Sequence, residues 1–296
     1  MKKFLFIALF AASISSCDNL TEGVVRDIDL PPHTPTMVGT LLADNTDSTL
    51  YGIISQTRGL LDSNVAALLS GATVNLYKDN VLQYSWNTQD TMDYYSLNLN
   101  DTLGSASGTY RFEVLHPEFD DLTATDQFPP AAIISEAVLN KGAAQIFTFE
   151  ADEIILNLQD IPGVDQHYIF SCEVRLTDFN FIGDTSWTKV DLYSDDQRTL
   201  PLAGSSAILV SENGIDADLQ LSFASTAFLG APLEEDYEYR ISVKTLSDEG
   251  FNYYRSLSSY QTAQGNPFSE PVVIYSNVSG GYGVFALSRT VDRFVR

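Results

Sequence analysis

Strict alternation of apolar and polar residues recurs along this chain, and a period of two admits only an extended strand with one buried and one wetted face. Tyr95, Leu97 and Leu99 alternate with Ser96, Asn98 and Asn100, and Tyr110, Phe112 and Val114 alternate with Arg111 and Glu113. The pattern returns at Ile154, Leu156 and Leu158, at Tyr168, Phe170, Cys172, Val174 and Leu176, at Leu219, Leu221 and Phe223, and at Tyr237, Tyr239, Ile241 and Val243. Between the runs, Lys78-Asp79-Asn80, Gly104 to Gly108, Ile161-Pro162-Gly163 and Glu212-Asn213-Gly214 supply residues suited to tight or left-handed backbone. An all-β fold built of antiparallel sheets follows. One segment departs from it. Ser247-Asp248-Glu249 reads as a helix cap with an acidic first turn, and Tyr253, Leu257 and Tyr260 then recur at helical spacing. This predicts one amphipathic helix over about residues 248–262, packed on a sheet through that stripe.

The pair Pro129-Pro130 cannot donate ladder hydrogen bonds and marks the expected domain boundary. Residues 36–130 then form a first β-sandwich, and residues 131–296 a second antiparallel β domain, sandwich or barrel-like, that carries the helix. In the first, Gly71-Ala72-Thr73-Val74-Asn75-Leu76-Tyr77 and Gly108-Thr109-Tyr110-Arg111-Phe112-Glu113-Val114 resemble strands of immunoglobulin-like or transthyretin-like modules.

The N-terminus has a different character. Lys2 and Lys3 precede nine apolar residues, Phe4 to Ala12, too few to span a bilayer, and small residues follow. Residues 1–16 therefore read as an export signal. Ile14-Ser15-Ser16-Cys17 resembles the bacterial lipobox, which implies that Cys17 is acylated and becomes the first residue of a lipidated tether over 17–35. Several acyl chains on one residue hold a polar protein firmly at a membrane, so the lipid is the expected membrane partner. Of the five residues directly after the cysteine only Asp18 and Glu22 are acidic, which leaves the face of the membrane open.

Loss of the signal takes two of the 16 basic residues and leaves 14 against 39 acidic ones, a net charge of about −25. Nucleic acid and anionic lipid surfaces attract clusters of Lys and Arg, so neither is an expected partner. The acidic pairs, such as Asp120-Asp121, Asp195-Asp196 and Glu234-Glu235-Asp236, read as a solvated surface that keeps copies apart. With Cys17 carrying lipid, Cys172 has no partner in the chain, and its place on a strand's apolar face predicts a buried, inert thiol.

Catalytic patterns are missing at the spacings that chemistry needs. The three histidines, His33, His116 and His167, do not fall at metal-ligand spacing, and Gly104-Ser105-Ala106-Ser107-Gly108 has Ala106 where a nucleophile elbow needs its serine. No Gly-rich phosphate loop followed by Lys-Ser or Lys-Thr occurs, so no cofactor and no enzymatic activity are expected. Trp86 and Trp187 offer flat faces that pack in the body or stack on a ligand. Asp90-Thr91-Met92 and Asp101-Thr102-Leu103 resemble a Bacteroidetes O-glycosylation pattern at Thr91 and Thr102.

Near the C-terminus, Gly265-Asn266-Pro267-Phe268-Ser269-Glu270-Pro271 precedes Ser276-Asn277-Val278-Ser279-Gly280-Gly281-Tyr282-Gly283-Val284-Phe285. Together with the lipobox, the Gly71 to Val74 strand, the run from Ala124-Thr125 to Pro129, and Tyr253-Tyr254, this segment resembles the closing signature of a Bacteroidetes outer-membrane lipoprotein family, domain of unknown function 4249 (DUF4249). Asp160-Ile161-Pro162-Gly163-Val164 matches that family's usual turn only loosely. Asn266, Pro267, Phe268, Asn277, Gly280, Gly281, Gly283 and Phe285 are the signature residues, read as closure of the second domain, with Phe268 as an anchor. The resemblance implies a lipoprotein that accompanies a TonB-dependent outer-membrane receptor as a non-catalytic binding component. A surface adhesin or structural envelope module fits the same residues, an envelope hydrolase is a further alternative, and whether the ligand is a small molecule, a peptide or a glycan stays open.

Overall fold

Alternating side chains make a strand only half-stable, because its apolar face must meet another layer. The computed structural model describes residues 32–59, 68–88, 95–99, 102–103, 107–177, 186–212, 217–229, 236–264, 266 and 268–296. Residues Pro35–Arg296 form one compact unit. In chain order the unit contains β1 (Met37–Asp44), β2 (Thr49–Gln56), β3 (Thr73–Lys78), β4 (Val81–Asn87), β5 (Tyr95–Asn98), β6 (Thr109–Leu115), β7 (Leu122–Gln127), β8 (Ile133–Ile146) and β9 (Phe149–Gln159). There follow β10 (His167–Leu176), β11 (Thr188–Val190), β12 (Leu192–Tyr193), β13 (Thr199–Pro201), β14 (Ala207–Ser211), β15 (Leu219–Ser225), β16 (Tyr237–Leu246), α1 (Asp248–Ala263) and β17 (Tyr282–Val295).

These strands form three sheets. The longest runs β13-β14-β10-β16-β17-β1-β2-β5, with β11 also on β10. Two four-stranded sheets, β4-β3-β6-β7 and β12-β15-β9-β8, lie apart from it. The fold is all-β with a single helix, and no sheet closes into a barrel among the described residues. Of the two forms expected for the C-terminal part, the layered one is present.

Each four-stranded sheet contributes to its own core. Leu41, Leu50 and Ile54 of the long sheet pack with Val74, Leu76, Phe112, Val114 and Leu122 in one cluster. Tyr168, Phe170, Tyr239, Ile241 and Val243 pack with Ile154, Leu156, Leu158, Leu221 and Phe223 in the other. The stretch 128–130 is where the chain passes from one small sheet to the next, yet it does not divide two self-contained domains. Phe285 and Leu287 of β17 belong to the first core, whereas Val295 of the same strand belongs to the second. These three residues share one face, because side chains two apart point the same way. A strand of 14 residues spans roughly 45 Å, enough to serve both cores.

The first half of β17 lies parallel to β1, with Gly39 opposite Gly283 and Leu41 opposite Phe285, and the second half lies antiparallel to β16. That parallel pair joins the two ends of the unit. Helix α1 has the expected cap, since Ser247 Oγ accepts from Gly250 N at 3.2 Å. Its buried face differs from the stripe read in the sequence. Gly250 and Ser258 are the buried positions, and Phe251 and Tyr254 pack on Ile169, Leu209 and Leu246, while Tyr260 is exposed. Ile169 and Leu246 are strand residues facing away from the second core, so α1 covers the far side of the long sheet, a surface that periodicity alone does not locate.

Gly283 sits at φ 129°, and a Cβ there would collide with Gly39 O across the parallel pair. Gly283→Ala should lower the unfolding free energy by about 3 kcal/mol, read from the urea midpoint. Gly142→Ala, at φ 66° with open space around it, should cost only about 1 kcal/mol.

Candidate functional site

The closing signature is built into the join between sheets. Asn277 Nδ2 donates to Phe285 O at 2.8 Å, and its Oδ1 accepts from Phe285 N at 3.0 Å, so one side chain imitates a strand neighbour for the start of β17. Phe285 in turn stacks on Phe112, with centroids 5.6 Å apart. Ser279 exchanges two backbone hydrogen bonds with Thr123 on β7. Gly280 and Gly281 follow, where a Cβ would strike Asp121 O and Met37 O respectively. The segment thus steps from the edge of one sheet into the middle of another through a gap with no room for side chains. Asn266 Oδ1 accepts from Phe268 N at 3.1 Å in an Asx turn. Phe268 is 93% exposed and anchors nothing within the described residues, contrary to its expected role.

Beside this join lies a groove of about 410 Å3. One wall is the exit from β7, Asp126 to Pro130; the others are Val164-Asp165-Gln166 before β10, and Thr245 to Glu249 where β16 turns into α1. Asp126 occupies an inward position of β7, in line with buried Leu122 and Ala124. Its Oδ2 accepts from Ser247 Oγ at 2.6 Å and from Leu287 N at 2.7 Å, and Oδ1 accepts from Gln127 N at 2.8 Å. One carboxyl group therefore ties β7, the helix cap and β17 together. Burial pushes its pKa up to about 6, against the pull of those hydrogen bonds, and the charge of Glu249 adds to the rise.

Behind the groove, His167 stacks on Phe251 with centroids 3.8 Å apart, and its Nδ1 lies 3.1 Å from Ser211 Oγ. Burial holds its pKa below the usual value, although Asp248 stands 3.6 Å from Nε2. Glu212 accepts from Gln166 N at 3.1 Å and from Tyr168 OH at 3.4 Å, and burial raises its pKa to about 7. The groove itself carries Asp126, Asp165, Asp248 and Glu249, and none of its lining residues is basic.

The remaining residues singled out in the sequence lie elsewhere. Cys172 is a free, buried thiol in the second core, its pKa raised to about 12 by burial first and then by Glu173. His116 Nε2 lies 3.2 Å from Ser70 O, and its Nδ1 accepts from Glu118 N. Trp86 packs at the margin of the first core. Trp187 stands between strand arginines, 4.5 Å from Arg175 and 4.8 Å from Arg240. Thr102 is exposed, whereas Cys17, Thr91, Ala106 and Pro267 fall outside the described residues. No group of three or more His, Cys, Asp or Glu side chains is placed to hold a metal ion among the described residues, and no described helix is long and apolar enough to cross a membrane. Asp126 escaped notice in the sequence, although an acidic residue at an inward strand position was a legible signal.

Layered sheets whose two cores share one terminal strand, a glycine-lined crossing and an acidic groove beside it define an all-β protein with an open groove at its join. The chain belongs to the family described as Domain of unknown function (DUF4249), whose sequence profile matches residues 27–293. No curated protein matches it.

The folded carboxyl of Asp126 holds its proton more tightly than the unfolded one, whose ordinary value is 3.8. Its contribution to stability is complete below pH about 4 and is lost as pH rises through 6. Glu212 has the same sign up to about pH 7. Asp126→Asn should therefore flatten the fall in urea midpoint between pH 4 and 6 and leave the part above 6. Asp126→Ala, which strands Leu287 N, should cost about 2–3 kcal/mol at pH 4, and the cost should shrink as pH rises toward 6.

Proposed function

We propose that this protein is a lipid-anchored lipoprotein of a bacterial outer membrane, held by acylated Cys17, that serves as a non-catalytic binding component of a TonB-dependent receptor. The anchoring rests on the charged start, the short apolar run and Ile14-Ser15-Ser16-Cys17. The stretch from Gly265 to Phe285 resembles the family's closing signature, and that resemblance supports the outer-membrane setting. The observation that carries the binding half is the use made of the reactive side chains. Cys172 is sealed in a core with its thiol kept protonated, His167 is clamped in a ring stack, and Asp126 spends its oxygens on the join. Groups so engaged position backbone and are poorly placed to attack a substrate. The groove beside them is open and of small-ligand size.

An adhesin or structural envelope module is the second reading, favoured by one feature. Phe147 at the tip of the β8–β9 hairpin is 89% exposed and held at φ 56°, with Phe149 beside it also exposed. A bulky residue in the left-handed region is uncommon, and an aromatic tip on a long ribbon suits contact with another surface.

Native protein from outer membranes should begin at Cys17, with an intact mass above that of the peptide by its acyl groups. Cys17→Ser should remove that mass and release the protein into the soluble fraction. Mild-detergent pull-down should recover a TonB-dependent receptor; recovery of none would leave the adhesive reading ahead. Protease shaving of whole cells assigns the face.

A further inference from the structure

Two buried side chains at the base of the groove lack partners that their chemistry requires. Gln166 and Thr245, each 1% exposed, line it, and neither Gln166 Nε2 nor Thr245 Oγ1 has a hydrogen-bond partner among the described residues. Burying a polar group without a partner is costly, so two at one place call for an explanation. The backbone of Gln166 is occupied, its N donating to Glu212 Oε2 and its O accepting from Glu212 N, while its Oε1 accepts from Ile161 N. Only the amide nitrogen is left. Thr245 lies in the ladder between Tyr168 on β10 and Arg289 on β17, so the part of it that reaches the groove is its side chain.

Around this base stand the four carboxyl groups of Asp126, Asp165, Asp248 and Glu249, with the apolar surfaces of Phe128, Pro129, Pro130 and Val164. A neutral sugar would leave those carboxylates without opposite charge. A bare metal ion would find no three of them placed together. We propose that the groove binds an amine-bearing, peptide-like cation. Its carbonyl accepts from Gln166 Nε2 and its amide meets Thr245 Oγ1. Its ammonium lies among the rim carboxylates, and its aliphatic part rests on the proline and phenylalanine faces. The field of a chain with net charge −23 draws such a ligand in. This rests on the binding reading above and names the ligand class; it does not depend on the anchor or the receptor.

The test is calorimetric titration of the full-length chain in detergent with leucyl-lysine amide, its Nα,Nε-diacetyl derivative, maltotriose and calcium chloride. The free amide should bind saturably, weaken with added salt, and lose its binding on acetylation. Thr245→Val keeps the shape and removes an unpartnered hydroxyl, so the melting temperature should hold or rise while affinity falls about tenfold. Asp165→Asn with Asp248→Asn, the latter at a side chain 81% exposed, should weaken binding several-fold, with the melting temperature checking that the variant stays folded. Equal binding of the acetylated peptide, preference for maltotriose or calcium, no saturation by the amide, or wild-type affinity in folded Thr245→Val would each overturn the proposal. Receptor recovery with peptide failure would discard the ligand class alone, and the reverse result would discard the receptor alone.

Discussion

Parallel pairing of β1 with β17 is the contact on which the rest of the body depends. It needs two backbones to approach at Gly39 and Gly283 more closely than any side chain permits, and it brings together residues at opposite ends of the unit. Once made, it sets Phe285 and Leu287 into one core and lets the same strand run on to deliver Val295 to the other. Contacts this distant in sequence return their energy only after almost the whole chain is ordered, which makes closure a late event by the logic of loop entropy.

Polar side chains hold that closure in register. Asn277 takes the place of a strand neighbour for Phe285, and Asp126 receives hydrogen bonds from the helix cap and from Leu287. A buried carboxyl with satisfied oxygens fixes geometry at some cost in desolvation, which is the meaning of its raised pKa. The same tie forms one wall of the acidic groove, so the groove lies where the sheets meet. At a net charge of −23 the surface discourages association with copies of itself.

Much of the architecture was legible because burial leaves its imprint one residue at a time. The alternation at Tyr110, Phe112 and Val114, and again at Tyr237, Tyr239, Ile241 and Val243, marks strands whose inward residues are the buried ones. Ser247 announced the helix start through local capping chemistry. The packed face of α1 was not legible, since Gly250 and Ser258 are small and carry no hydropathy signal, while the aromatic stripe that does carry one is turned partly to solvent. Phe268 misled for the opposite reason, being apolar yet exposed. The inward charge of Asp126 was a local signal, but its role was not legible, since its partners lie 121 and 161 residues away.

By itself, then, the sequence determined the all-β class, the single helix, the buried thiol of Cys172 and the family, because each is written in local periodicity, spacing or motif. Only the tertiary structure decided that 36–130 and 131–296 share a strand, that the glycines of the signature line a crossing, and that Gln166, Thr245 and four carboxyl groups meet in one groove. Those facts depend on which strands lie side by side, and pairing across more than two hundred residues leaves no local trace in a chain.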